Sequence, residues 1–152
     1  MLATGCLYGF TGGGFPSHLR TVAILPFNNQ TAEPLLTQEV FEAVRRAMED
    51  RLGLRLASEE QADAVVRGTV SGFQPDLPLS FETEGRNVQV TRRLVQITVS
   101  VEIYDQVEDR VLWQRAALRV DGEYEPPNEQ DGRRVALEKL ETDIVDGAQS
   151  QW

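Results

Sequence analysis

Val95-Gln96-Ile97-Thr98-Val99-Ser100-Val101-Glu102-Ile103-Tyr104 decides the fold, because β-branched apolar residues hold every odd position and polar or amphipathic ones every even position. A period of two sends alternate side chains to opposite faces, so this segment is a strand with one apolar and one polar face. Gln106 to Asp109 turns the chain back, and Val111 to Val120 supplies an antiparallel neighbour. Upstream, Thr21 to Phe27 (TVAILPF) is apolar on both faces, the pattern of a buried strand, with Pro26 tolerated only near its end or at an edge. Asn28-Asn29-Gln30-Thr31 follows as a turn. Leu54 to Ala57 reads as a short strand and Ala64 to Phe73 (AVVRGTVSGF) as a longer one bulged by its glycines. Gln74-Pro75-Asp76-Leu77-Pro78 breaks the pattern, and the stretch to Asn87 reads as a polar excursion.

Two segments carry the other period. From Glu33 to Arg51, Leu36, Val40, Val44, Ala47 and Met48 recur every three or four positions, which makes one apolar stripe on a helix ended by Gly53. Asn128 is placed to cap a final helix whose buried stripe is Val135, Leu137, Leu140, Ile144, Val145 and Ala148. A sheet with one apolar face and two helices with one stripe each meet in a two-layer sandwich. The expected fold is therefore α+β, a mixed sheet of four to five strands with both helices packed on one face. Its other face is left polar and open to a partner.

The chain has 152 residues with 24 acidic and 15 basic side chains, a formal charge of −9. That length suits one domain, able to bury about 68–70% of its unfolded surface without metal or disulfide support. The negative balance argues against binding a nucleic-acid backbone, and no run approaches the roughly 18–20 apolar residues of a membrane helix. The lone cysteine stands in Leu2-Ala3-Thr4-Gly5-Cys6, where small residues precede it as in the cleavage site of a lipoprotein signal peptide. On those residues alone, a lipidated cysteine and an incidental free thiol are both open readings. The glycine-rich Tyr8 to Pro16 that follows has the composition of a tether, which favours the first. Residues 1–5 are then the residual end of a signal peptide, 6–20 a lipidated N-terminus and tether, and 21–152 a single α+β domain.

Catalytic chemistry finds little footing. His18 is the only histidine, so neither a histidine and cysteine zinc site nor a Ser-His-Asp arrangement is expected, and its place before a strand reads as surface. Glu59 and Glu60, then Asp105, Glu108 and Asp109, then Glu123 and Glu125 form acidic clusters in turns, where solvated charge is the default. No catalytic residue, metal or cofactor is expected, and the chain is not read as an enzyme. Asn29-Gln30-Thr31 matches a glycosylation acceptor, which carries no meaning in a bacterial-type lipoprotein. Arg86, Arg92 and Arg93 precede the central strand, while Arg110, Arg115 and Arg119 lie in its neighbour. They are either a guanidinium patch suited to phosphate or carboxylate forks, or ordinary strand charges paired with Glu102 and its neighbours.

In order and spacing, the chain resembles the LPS-assembly lipoproteins of the LptE type. The resemblance rests on Cys6 followed by Tyr8-Gly9-Phe10, the segment Val22 to Pro34 (VAILPFNNQTAEP), Ala62 to Gly68 (ADAVVRG), and Val111-Leu112-Trp113 with the later Gly122 and Tyr124. It implies a protein lipidated at Cys6 and held on the periplasmic side of the outer membrane. It also implies a β-barrel partner, the LPS translocon LptD, whose assembly the chain assists and whose lumen it plugs during lipopolysaccharide insertion. At a Debye length of about 8 Å, an acidic chain must confine contact with a phosphorylated glycolipid to a local surface. Arg92 and Arg93 are the expected lipopolysaccharide contacts. Leu7, where an aspartate would favour the inner membrane, is compatible with the outer one. The opening Val22 to Thr31 also resembles lipoproteins that activate peptidoglycan synthases, and this is the alternative function. It resembles curli-pore lipoproteins too, but the chain lacks the length for a channel.

Overall fold

The computed structural model describes residues 15–150. Its elements are β1 (Thr21–Ile24), β2 (Asn28–Asn29), α1 (Leu35–Arg46), β3 (Arg55–Leu56), β4 (Ala64–Glu84), β5 (Asn87–Asp105), β6 (Arg110–Tyr124) and α2 (Glu129–Gln149). The sheet runs β3-β1-β4-β5-β6, with β2 also paired to β4, so it is mixed and six-stranded. β1 lies parallel to β3 and β4, while β4, β5 and β6 form an antiparallel meander. The count exceeds the expected four to five because Asn28–Asn29, read as the start of a turn, forms a short strand of its own. Pro26 has no N–H to donate, so β1 ends at Ile24 and the chain rejoins β4 at Asn28, opposite Thr69.

Asn29 finds a structural use in that step. Its Oδ1 accepts from the Thr31 amide and hydroxyl, and its Nδ2 donates to the Glu33 carbonyl 2.8 Å away. The side chain thus builds the turn that aims the chain into α1. α1 continues through a wider final turn, Ala47–Arg51, and stops at Gly53, where φ is +73°.

Both helices lie on the same face of the sheet. Leu36, Val40, Val44 and Met48 from α1, and Leu140, Ile144 and Val145 from α2, share one core with Val66, Val70 and the odd-numbered residues of β5. Val95, Ile97, Val99 and Ile103 are fully buried. α2 sits unusually close to β6. A Cβ on Gly122 would lie 1.7 Å from the Gly132 carbonyl oxygen, and one on Gly147 would lie 2.3 Å from Cε2 of Trp113. Glycine at these positions lets helix backbone and indole come within van der Waals reach of the neighbouring layer. Asn128 does stand at the start of α2, but its side chain makes no capping bond, and its carbonyl accepts from the Asp131 amide instead. Val135 is only half-buried, and the stripe runs through Arg133, Ala136 and Leu137.

The expected polar excursion after Phe73 is corrected. β4 continues to Glu84, turns at Gly85, whose φ is +63°, and returns as β5 from Asn87, giving a long two-stranded ribbon. β4 shifts register between Gln74 and Leu77 and again between Pro78 and Ser80. Bulges accommodate prolines that a regular ladder would exclude.

Candidate functional site

The sheet face turned away from the helices carries a small apolar cluster of Ala23, Ala62 and Val65 at its β1 end and is polar over the central strands. Arg67, Thr69 and Ser71 of β4 stand beside Gln96, Thr98, Ser100 and Glu102 of β5 and Gln114, Arg119 and Asp121 of β6. The period of two puts them there, since each is the neighbour in sequence of a buried residue. Arg67 lies directly opposite Glu102 in the β4–β5 register, and its Nη2 is 2.6 Å from Oε1 of Glu102. The same guanidinium stands 5.4 Å from the Tyr104 ring centroid. On β6, Arg115 stands 5.4 Å from the Trp113 ring. Between these two arginines runs an open trough of about 720 Å³, floored by Gly68, Ser100 and Val101 and walled by Glu102 and Gln114.

The arginines expected to form a patch are dispersed. Arg92 and Arg93 are adjacent on β5 and therefore project to opposite faces. Arg92 meets Glu123 at 3.0 Å and Glu125 at 3.9 Å on the outer face. Arg93 donates to the Asp76 carbonyl at 2.9 Å, and the nearby Tyr124 hydroxyl donates to the Pro75 carbonyl at 2.7 Å. The first ties β5 to β4 at the base of the ribbon, and the second fastens that base to β6. Arg110 pairs with Glu108 at 3.0 Å, and Arg86 lies exposed at the turn of the ribbon. Guanidiniums paired in this way still offer forks to an incoming phosphate that displaces the carboxylate.

Two polar groups depart from the sequence expectation. Asp105 is fully buried instead of solvated. Burial pushes its carboxyl upward, but bonds from the Glu108 amide, the His18 ring and the Val107 amide outweigh it and hold the group below the usual carboxylate range. His18, read as a free surface residue, places Nε2 2.7 Å from Oδ2 of that carboxylate. Arg133 was not singled out at all. It is buried within the α2 stripe, 2.9 Å from both Glu39 and Glu129, 3.4 Å from Glu33, and 5.1 Å from the Phe73 ring. An arginine at a stripe position, four residues after Glu129, is the signal that reading overlooked.

Cys6 and the tether up to residue 14 lie outside the described residues. Among the described residues no helix is long and apolar enough to cross a membrane.

The family model LptE, described as lipopolysaccharide-assembly, matches residues 19–150. No curated protein matches the chain. Among solved structures, the PelC dodecamer of Paraburkholderia phytofirmans is 16% identical, with 90% of this chain and 93% of that one covered at a TM-score of 0.56. The uncharacterized lipoprotein B of Nitrosomonas europaea is 11% identical over 91% of this chain and 86% of that one, with a TM-score of 0.59. A putative lipoprotein of Caulobacter crescentus is 15% identical over 86% and 89%, with a TM-score of 0.50. At these identities the likeness is one of fold.

Proposed function

This chain belongs to the LptE lipopolysaccharide-assembly family, and from that premise we propose that it is a non-enzymatic outer-membrane lipoprotein partnering a β-barrel translocon of the LptD type. It is anchored through Cys6 on the periplasmic side, assists assembly of the barrel, plugs its lumen and contributes to lipopolysaccharide insertion. The observation that carries the reading is the family match over residues 19–150, nearly the whole domain. The polar sheet face supports it, since a plug inside a wet barrel presents hydrogen-bonding side chains to the wall. Lipid arithmetic supports the anchor: about 0.8 kcal/mol per buried methylene makes two or three acyl chains effectively permanent.

Lipopolysaccharide contact is assigned to Arg92 and Arg93 at the base of the ribbon. With a net charge of −9 the contact is local, and it proceeds by exchange of Glu123 and Asp76 for glycolipid phosphate.

Affinity purification from native membranes tests the partnership. A large co-purifying β-barrel is expected, and recovery of a peptidoglycan synthase with no barrel overturns the reading in favour of the activator alternative. Cys6→Ala behind a complete signal peptide is expected to release the chain into the soluble periplasm when the barrel is absent. Persistent membrane association in that background excludes lipidation as the anchor.

A further inference from the structure

His18 lies just ahead of β1, where the tether joins the domain, and its ring reaches the far end of the sheet. There it meets the β5–β6 turn. Nε2 of His18 is 2.7 Å from Oδ2 of Asp105 and 4.0 Å from Oε1 of Glu108. The three ligand atoms lie within 4.8 Å of one another. The two carboxylates are each fixed by a separate contact. Oδ1 of Asp105 accepts the Val107 and Glu108 amides at 2.8 and 3.0 Å, which leaves Oδ2 directed at the histidine. Oε2 of Glu108 is 3.0 Å from Nε of Arg110, which leaves Oε1 on the histidine side. Asp105 is fully buried, while His18 and Glu108 stay partly exposed, so one side of the cluster is open to solvent.

We propose that His18, Asp105 and Glu108 form a binding site for a divalent transition metal of the zinc class. An imidazole nitrogen with two carboxylate oxygens is a donor set suited to zinc, whereas calcium and magnesium take oxygen ligands alone. Zinc–ligand bonds of about 2.0–2.2 Å at tetrahedral angles hold ligand atoms roughly 3.3 Å apart. The observed 2.7 and 4.0 Å bracket that separation, and a small rotation of the exposed Glu108 and His18 side chains reaches it. Binding requires the Nε2 lone pair. The hydrogen that Nε2 shares with Asp105 therefore moves to Nδ1 or to solvent, so that the metal-bound ring is neutral with its hydrogen on Nδ1. Water completes the coordination on the open side. The ion staples the tether's junction to the end of the sheet, next to Asp63, which binds the Arg20 and Thr21 amides.

The test is a zinc titration by calorimetry at neutral pH on the full chain, stripped of metal, with Cys6 alkylated so that its thiol does not compete. One zinc per chain is expected, and His18→Ala and Glu108→Gln should each weaken it by about 100-fold or more, beyond the usual cost of an outer-shell change. Both substitutions lie at partly exposed side chains, and a melting curve without metal checks that each variant folds. A melting temperature that zinc raises in the parent chain and leaves unmoved in His18→Ala is the independent support. Absence of stoichiometric binding overturns the proposal, as does zinc affinity unchanged by His18→Ala. Either result leaves His18 and Asp105 as a hydrogen-bonded pair only.

Discussion

β4 and β5 are each one continuous strand, yet their two halves are different objects. From Val95 to Asp105, β5 lies under the helices and alternates strictly between buried and half-exposed residues, whereas from Asn87 to Leu94 the same strand has no buried residue. The backbone ladder is common to both halves, and only the cover differs. Burial by α1 and α2 therefore sets stability, while the ribbon, which the core does not need, is available for recognition. A two-stranded ribbon on its own is marginal in water. This one is held at its base by Arg93 and Tyr124.

The largest expected break lies where α2 meets β6. Gly147→Val forces a side chain into the Trp113 indole, and a loss of more than about 4 kcal/mol or of the folded state is expected by urea denaturation. Val88→Ser in the ribbon, at a position 63% exposed, should stay within about 0.5 kcal/mol of the parent. Equal losses from the two would erase the distinction between the halves.

Next in size are truncations within the covered half. Ile97→Ala should cost about 2–5 kcal/mol. Arg133→Ala leaves Glu33, Glu39 and Glu129 facing one another, and about 2–4 kcal/mol is expected after allowing for their partial exposure. Adding Glu39→Gln to that variant should recover part of the loss, and no recovery would show that the cluster is not coupled.

Acid acts on the covered half as well. Asp105 and Asp63 have folded values held below the usual carboxylate range, Asp63 chiefly by the Arg20 amide. Their contribution is complete above the ordinary carboxyl value of about 3.9 and is lost as pH falls through the lower folded values. Asp143 runs the other way. Burial first, and then the charge of Asp146, raise its carboxyl, so stability is lost as pH rises from the ordinary carboxyl value to the raised folded one and stays lower above it. Denaturation midpoints against pH should show Asp105→Asn removing its share of the acid-side loss, with that of Asp63 remaining, and Asp143→Asn raising neutral-pH stability by about 0.5 kcal/mol or less. Smallest in stability is Arg92→Glu with Arg93→Glu. It should leave the melting temperature nearly unchanged while weakening capture of lipopolysaccharide vesicles, and unchanged capture removes both residues from the site.

The same contrast explains what could be read in the sequence. Val95 to Ile103 was legible because a helix layer imposes a period of two on one face. The ribbon was not, because none of its described side chains is buried and Pro75 and Pro78 read as breakers when they sit at bulges. Asp105 looked like a solvated turn residue because its partner, His18, is 87 residues away in the chain. Arg110, Arg115 and Arg119 do lie in β6, but Arg92 and Arg93, read as preceding the central strand, lie within β5, where neighbours face apart and meet different carboxylates. The family membership was readable from the order of short motifs along the chain.

Depletion of the chain in its native cell, read by surface-exposed lipopolysaccharide, tests the functional account most directly. Surface lipopolysaccharide should fall on depletion and recover with the parent chain. Unchanged surface lipopolysaccharide with the chain fully depleted would contradict a role in its assembly.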